Sequence, residues 1–270
     1  MKVKELLKQN KVSLRDKILL LAHLLKINHK DLYLLDDLEV PRAVEEAYTE
    51  NLKRLEEGYP LQYILGEWEF YGKSFHVQEG ILIPRPETEI LVEEVLKRVD
   101  RKIDLKGLEI GVGSGCISIT LLIHNQRLRM FANDINIKAL KLAKRNAKRH
   151  GVEDRLFLFA GDLFEALKPY PFDLILSNPP YIPMERWESL PFGVKMEGYT
   201  SLIGGIMGWE FYLRIREYMD NYLNSDGFFA FEIGHDQGEI LRNIFEGKGY
   251  KVEIIKDYAN QDRVIVGWRS

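Results

Sequence analysis

The chain holds one cysteine, Cys116, among its 270 residues. A single thiol excludes an intramolecular disulfide and any thiolate metal cage. The six histidines, His23, His29, His76, His124, His150 and His235, never fall at metal-ligand spacing, so no metal is expected. No apolar run reaches the roughly 18 residues of a membrane span, and Met1 to Asn10 is too charged for a secretion signal. Proline and glycine are modest, at 10 and 21, against 46% hydrophobic residues; disorder, collagen-like repeats and mini-protein scaffolds are excluded. Charge of one sign is not in excess either: 38 Lys and Arg face 41 Asp and Glu, a net charge of -3. Residues 1–80 carry 12 basic and 14 acidic side chains and the remainder 26 and 27, so neither part reads as a DNA-binding module. These absences predict a reduced, soluble, cytoplasmic protein. The length suits one large domain, or an ordinary domain with a smaller companion.

What is present changes character along the chain. Val12 to Asn28 reads as a helix with Ser13 as N-cap, and His29 to Asp37 as a short helix. A longer helix begins with Pro41 in its first turn, carries the stripe Ala43, Ala47, Leu52 and Leu55, and stops at Gly58. Residues 1–60 therefore read as a small helical domain. The aromatic and glycine-punctuated stretch from Tyr63 to Val77 predicts a β-hairpin, placed within a linker over 61–82. From 83 to 270, helical and strand-like segments alternate. The strands fall at Gly107–Gly111, Leu128–Asn133, Leu156–Phe159, Phe172–Ser177, Gly227–Ile233, Lys251–Lys256 and Arg263–Trp268. Such alternation predicts an α/β fold with a doubly wound, mostly parallel seven-stranded sheet, its last two strands forming an antiparallel hairpin at one edge.

Four strand ends carry residues suited to chemistry. The first strand runs into Gly111-Val112-Gly113-Ser114-Gly115, where bare backbone lets a ligand approach. A dinucleotide fingerprint would place glycine at Cys116, and a P-loop would place a lysine after the glycines; neither occurs. By itself the turn also fits a plain α/β connection. Asp134 ends the next strand, 23 positions after Gly111, where a carboxylate can accept from both ribose hydroxyls of an adenosine, or simply cap a helix. Asp162 follows the third strand, placed to accept from an adenine amino group with Leu163 or Phe164 against the ring. Three such residues at successive strand ends suggest an adenosine ligand. The fourth strand runs into Ser177-Asn178-Pro179-Pro180-Tyr181. Proline restricts the residue before it and holds the segment extended. The Asn178 side-chain oxygen and the Pro179 carbonyl then make a two-acceptor clamp for a planar NH2 group, on which Tyr181 can stack. A Pro-Pro loop that merely ends a strand remains the alternative for these residues alone.

With the glycine turn, the Asn178 to Tyr181 segment resembles the S-adenosylmethionine-dependent methyltransferases that modify planar NH2 groups, among them adenine-N6 DNA methyltransferases and protein glutamine-N5 methyltransferases. Over nearly the whole chain the sequence is similar to the release factor glutamine methyltransferase family. The stretches that carry this are Gln62 to Val77, Ile83-Pro84-Arg85-Pro86-Glu87-Thr88-Glu89, Phe231-Glu232-Ile233-Gly234 with Gln237, and Asp257 to Arg263. The resemblance implies a class I, Rossmann-like methyltransferase domain joined through a β-hairpin to a helical N-terminal domain that recognises the substrate. It implies S-adenosylmethionine as methyl donor, S-adenosylhomocysteine as product, and the glutamine of the Gly-Gly-Gln loop of class 1 peptide chain release factors as acceptor. Donor binding would fall to Gly111, Val112, Gly113, Ser114, Gly115, Asp134, Asp162, Leu163 and Asn178. Substrate binding would fall to Asn178, Pro179, Pro180 and Tyr181, of which Asn178, Pro179 and Tyr181 would serve catalysis. One departure is plain: the family usually has Glu-Pro before Ala-Leu where this chain has Glu197-Gly198-Tyr199-Thr200-Ser201-Leu202.

Three other readings compete with the glutamine enzyme. An adenine-N6 methyltransferase shares the clamp but calls for a basic target-recognition region, which the charge distribution lacks. A non-catalytic adenosine-binding module would not require the complete clamp. An NAD oxidoreductase is disfavoured by Cys116. The six basic residues Lys138, Lys141, Lys144, Arg145, Lys148 and Arg149 read as a solvated helix face, and neither a membrane nor DNA is expected as a partner.

Overall fold

Ser13 accepts the backbone N–H of Asp16 at 3.1 Å and so caps the first long helix, α1 (Leu14–Leu25), a contact worth about 1 kcal/mol. In the computed structural model, which describes residues 1–8, 11–99 and 104–269, the chain divides into two compact units: Met1–Glu67 with Leu190–Met196, and Trp68–Ser189 with Glu197–Ser270. The first unit is helical. α1 packs with α2 (Arg42–Glu56) and α3 (Leu61–Leu65) around Leu20, Leu21, Tyr48, Leu52 and Leu61. Two expectations shift here. α1 stops three residues early, because Lys26 turns left-handed, and Leu61–Leu65 is helix rather than the approach to a hairpin.

The hairpin itself is shorter than the aromatic stretch suggested: β1 (Glu67–Phe70) and β2 (Lys73–His76) are joined by Tyr71 and Gly72, both at positive φ. Phe70 and Phe75 enter the core of the second unit. That unit holds α4 (Thr88–Val99), β3 (Leu105–Ile110), α5 (Cys116–His124), β4 (Leu128–Asp134), α6 (Ile137–Arg149), β5 (Leu156–Ala160) and β6 (Phe172–Ser177). It continues with α7 (Glu210–Met219), β7 (Leu223–Glu232), α8 (Gly238–Glu246), β8 (Tyr250–Lys256) and β9 (Asp262–Arg269). Helix α8 and the short parallel pairing of Ile182–Pro183 with Ile203–Gly205 went unread in the sequence.

The seven strands lie in the order β8-β9-β7-β6-β3-β4-β5. The five from β7 to β5 run parallel, and β9 inserts antiparallel between β7 and β8. Alternate residues serve the two faces. Leu174, Leu176 and Ala230 face a core completed by α4 and α5, while Ile175, Phe229 and Phe231 face one completed by Tyr212 and Ile215 of α7 and by Leu241 and Phe245 of α8. The chain moves outward from β3 through β4 to β5, then returns to the other side of β3 with β6. That reversal opens a crevice at the carboxyl ends of β3 and β6, where ligands of open α/β sheets bind. The six basic residues of α6 are all exposed, as expected of a solvated face.

Candidate active site

A cavity lies over the carboxyl ends of the parallel strands. Gly111, Val112, Gly113, Ser114, Asp134, Asp162, Leu163, Asn178 and Pro180 all line it, so the structure brings most of the expected residues together. Gly115, Pro179 and Tyr181 are not part of that lining. Gly115 opens α5 at φ +82°, where an added Cβ would fall 2.8 Å from Ile119 Cδ1, so the position is closely packed. Pro179 is buried. Tyr181 packs among the second core's residues and donates its hydroxyl to Glu232 Oε1 at 3.2 Å.

The glycine turn is anchored from β4. The N–H groups of Gly111 and Val112 both donate to the Asn133 carbonyl, at 3.0 and 2.8 Å, and that of Gly113 donates to Asp134 Oδ2 at 3.0 Å. Asp134 Oδ1 accepts the Asn136 N–H at 2.8 Å, so the carboxylate steadies both the turn and the approach to α6, whose N-cap is Asn136. Burial raises the Asp134 pKa against these backbone donors. Asn146, wholly buried on α6, donates to the carbonyls of Ser114 (2.8 Å) and His76 (3.0 Å) and accepts from the His76 N–H (2.8 Å), tying hairpin to turn.

On the next strand ends, Asn133 Nδ2 donates to the carbonyls of Gly161 and Leu163 at 3.0 and 2.7 Å, and Leu163 sits at φ +47°. Asp162 is engaged on one side: Arg214 donates to its Oδ2 at 2.6 Å. Glu109, buried on β3 and lining the cavity, accepts the backbone N–H of Ser118 at 3.1 Å and the Ser118 hydroxyl. Its carboxyl is pushed up to about 8 by burial. Burial likewise pushes the Cys116 thiol up to about 12, so it is an unreactive packing residue.

Asn178 Nδ2 donates to Thr88 Oγ1 at 3.3 Å, and Thr88 Oγ1 donates to Glu232 Oε2 at 2.6 Å. Glu232 ends β7, beside the end of β6, and is buried; desolvation raises its pKa while Thr88, Arg263 and Tyr181 oppose the rise. The loop after Asn178 is held by close backbone contact. A Cβ on Gly204 would lie 2.4 Å from the Pro180 carbonyl, and Gln237 Nε2 donates to the Tyr181 carbonyl at 3.0 Å. Thr88, Glu232 and Gln237 lie within the stretches similar to the family, and the sequence alone assigns them no role. The signal is Glu232, a charged residue closing the apolar run Phe228 to Phe231; Thr88 and Gln237 stand at helix starts, where polar residues are ordinary.

The departure at Glu197 has a structural answer. Glu197 is buried, accepts the Ile83 N–H at 3.1 Å, and pairs with Arg85. Gly198 follows at φ +94°, a conformation closed to proline, and the next turn carries Thr200 and Ser201 to the cavity wall.

Comparison with known proteins shows the family and the fold. The family model "Methyltransferase small domain" matches residues 86–188, and "PrmC N-terminal domain" matches residues 2–66. A release factor glutamine methyltransferase of Aquifex aeolicus is 48% identical over 269 residues, 99% of this chain and 96% of the relative. The chain belongs to the release factor glutamine methyltransferase family. A Bacillus cereus member of that family is 38% identical, over 92% of this chain and 89% of its own. Among solved structures, a methyltransferase from Pyrococcus furiosus shares the fold, with a TM-score of 0.56 at 18% identity over 82% of this chain and 98% of that one. The class I methyltransferase fold of this family member is therefore established. Among the described residues, no cluster of His, Cys, Asp and Glu could hold a metal, and no helix is long and apolar enough to cross a membrane.

The cavity suits an adenosine-bearing donor on its own chemistry. An added Cβ on Gly111 would meet nothing within 4 Å, leaving open backbone beside the Asp134 carboxylate. Asn133 Oδ1 is buried at the cavity without a hydrogen-bond partner among the described residues, an acceptor available to a ligand's N–H or O–H.

Proposed function

We propose that this chain methylates the side-chain amide nitrogen of the glutamine in the Gly-Gly-Gln loop of a class 1 peptide chain release factor, taking the methyl group from S-adenosylmethionine and leaving S-adenosylhomocysteine. The observation that carries this reading is the setting of Asn178. Its NH2 is spent inward on Thr88, no bond occupies its Oδ1 among the described residues, and the side chain lines the cavity. An acceptor presented there suits a substrate NH2 group.

When bound, the donor supplies an electrophilic methyl carbon on sulfur, whose C–S bond breaks with its electron pair going to sulfur as the bond to nitrogen forms. The chain's own part is positioning. An amide nitrogen is a poor nucleophile because its lone pair is delocalised, so much of the rate must come from orientation. Asn178 Oδ1 and the Pro179 carbonyl each accept one N–H of the glutamine amide, turning the nitrogen toward the methyl group and stabilising the positive charge that develops there. Pro180 and Tyr181 hold the amide plane, and the surplus proton leaves to solvent. Gly111 to Ser114 give backbone to the donor, Asp134 accepts from its ribose hydroxyls, and Asp162 with Leu163 receives the adenine, Arg214 leaving Oδ1 of Asp162 free of that pairing.

Residues 1–60 serve as the recognition platform, 61–82 as linker, and 83–270 as the transferase domain, in the cytoplasm where release factors work. Exposed Leu14, Tyr33 and Leu34 give the helical unit apolar surface for a protein partner. The test is transfer of labelled methyl from S-adenosylmethionine to purified release factor, beside the same factor with its loop glutamine changed and beside duplex DNA. Label on the unmodified factor alone supports the reading; label on DNA alone moves the chain to the adenine class.

A further inference from the structure

We propose that Thr88 and Glu232 are positioning residues that set the direction of the Asn178 amide and the seat of Tyr181, an inference that rests on the glutamine-methylating reading above. The argument is a count of protons. A threonine hydroxyl has one, and the buried Glu232 carboxylate takes it at 2.6 Å. The Thr88 oxygen can then only accept, so Asn178 must present its NH2 to it, at 3.3 Å, and its carbonyl oxygen is turned away. An asparagine amide has two near-isosteric orientations, and only the one with oxygen outward forms a clamp for an N–H. The second oxygen of Glu232 accepts from the Tyr181 hydroxyl at 3.2 Å, so one carboxylate orders two residues of the clamp. Accepting from both requires the carboxylate form; burial raises the Glu232 pKa against that form, and the Thr88 hydroxyl, Arg263 and the Tyr181 hydroxyl all work for it. The backbone that carries Glu232 is anchored as well: its main-chain carbonyl accepts from the Tyr212 hydroxyl at 2.6 Å, and Tyr212 is wholly buried.

The experiment compares Thr88→Val, which keeps the shape and removes the hydroxyl, with Thr88→Ser, which keeps the hydroxyl. Two measurements run on the full chain: steady-state methyl transfer to release factor, and hydrogen exchange of the Asn178 side-chain NH2 in protein labelled with 15N-asparagine, the signal assigned by its loss in Asn178→Ser. Thr88→Val is expected to lower kcat at least tenfold with the donor KM within threefold, and to speed NH2 exchange at least tenfold. Thr88→Ser is expected to recover both. Unchanged exchange in Thr88→Val, or loss of kcat matched by an equal loss of donor binding, overturns the inference. Should the unmodified chain transfer nothing to release factor, the proposed reaction fails while the exchange comparison still decides the Thr88 contact.

Discussion

Asp134, at the end of β4, reaches to the glycine turn after β3, its Oδ2 accepting the Gly113 N–H at 3.0 Å, so the carboxylate proposed for the ribose also holds the turn. Asp134→Ala should therefore weaken S-adenosylhomocysteine binding by more than one hydrogen bond's worth. A rise in Kd of at least thirtyfold by calorimetry is expected, about 2 kcal/mol, as for loss of hydrogen bonds to a charged group. A change below threefold would remove Asp134 from the donor site.

Two glycines of one turn should fail differently when changed to alanine. Gly111 and Gly115 share positive φ, +77° and +82°, so each substitution carries backbone strain of about 1 kcal/mol. At Gly115 the Cβ also meets Ile119 and, at 3.1 Å, Ala143, whereas at Gly111 it meets nothing. Gly115→Ala should lower Tm well beyond Gly111→Ala, and Gly111→Ala should lose donor affinity out of proportion to its stability. Melting curves with and without S-adenosylhomocysteine read both.

Asn178→Ala removes the acceptor and keeps the fold. Methyl transfer should fall at least a hundredfold, while the Kd for S-adenosylhomocysteine stays within about threefold, since the turn and Asp134 are untouched. Equal loss of both quantities would point to a folding role for Asn178 instead.

Glu109 makes stability depend on pH. Its folded pKa, about 8, lies above the ordinary glutamate value, so between roughly pH 4.5 and 8 the folded state binds more protons than the unfolded one and stability falls as pH rises. Glu109→Gln keeps an acceptor for Ser118 and loses the charge. The variant should melt several degrees above the parent at pH 9 and show little gain at pH 5. A constant offset at both values would assign the effect to packing rather than to ionisation.

Much of the site could be read from order alone. Gly111, Asp134, Asp162 and Asn178 stand where successive strands end, and in a parallel sheet every such end faces the same side, so spacing translated directly into a shared cavity. Thr88 and Glu232 could not be placed that way. They lie 144 residues apart, one at the start of α4 and one at the end of β7, and nothing in local periodicity reports that they touch.

By itself the sequence determined the alternation of elements, the extended path that two prolines impose after Asn178, and the glycine turn, because each depends on the local steric limits of a few neighbouring residues. The tertiary structure alone decided which way the Asn178 amide points, that Arg214 engages Asp162, that Gly115 packs against Ile119 and Ala143, and that Gly198 takes a path closed to proline. The physical reason is common to all four: each is set by atoms brought near by the closing of the sheet and its loops, at sequence separations where the chain carries no local trace of its partner.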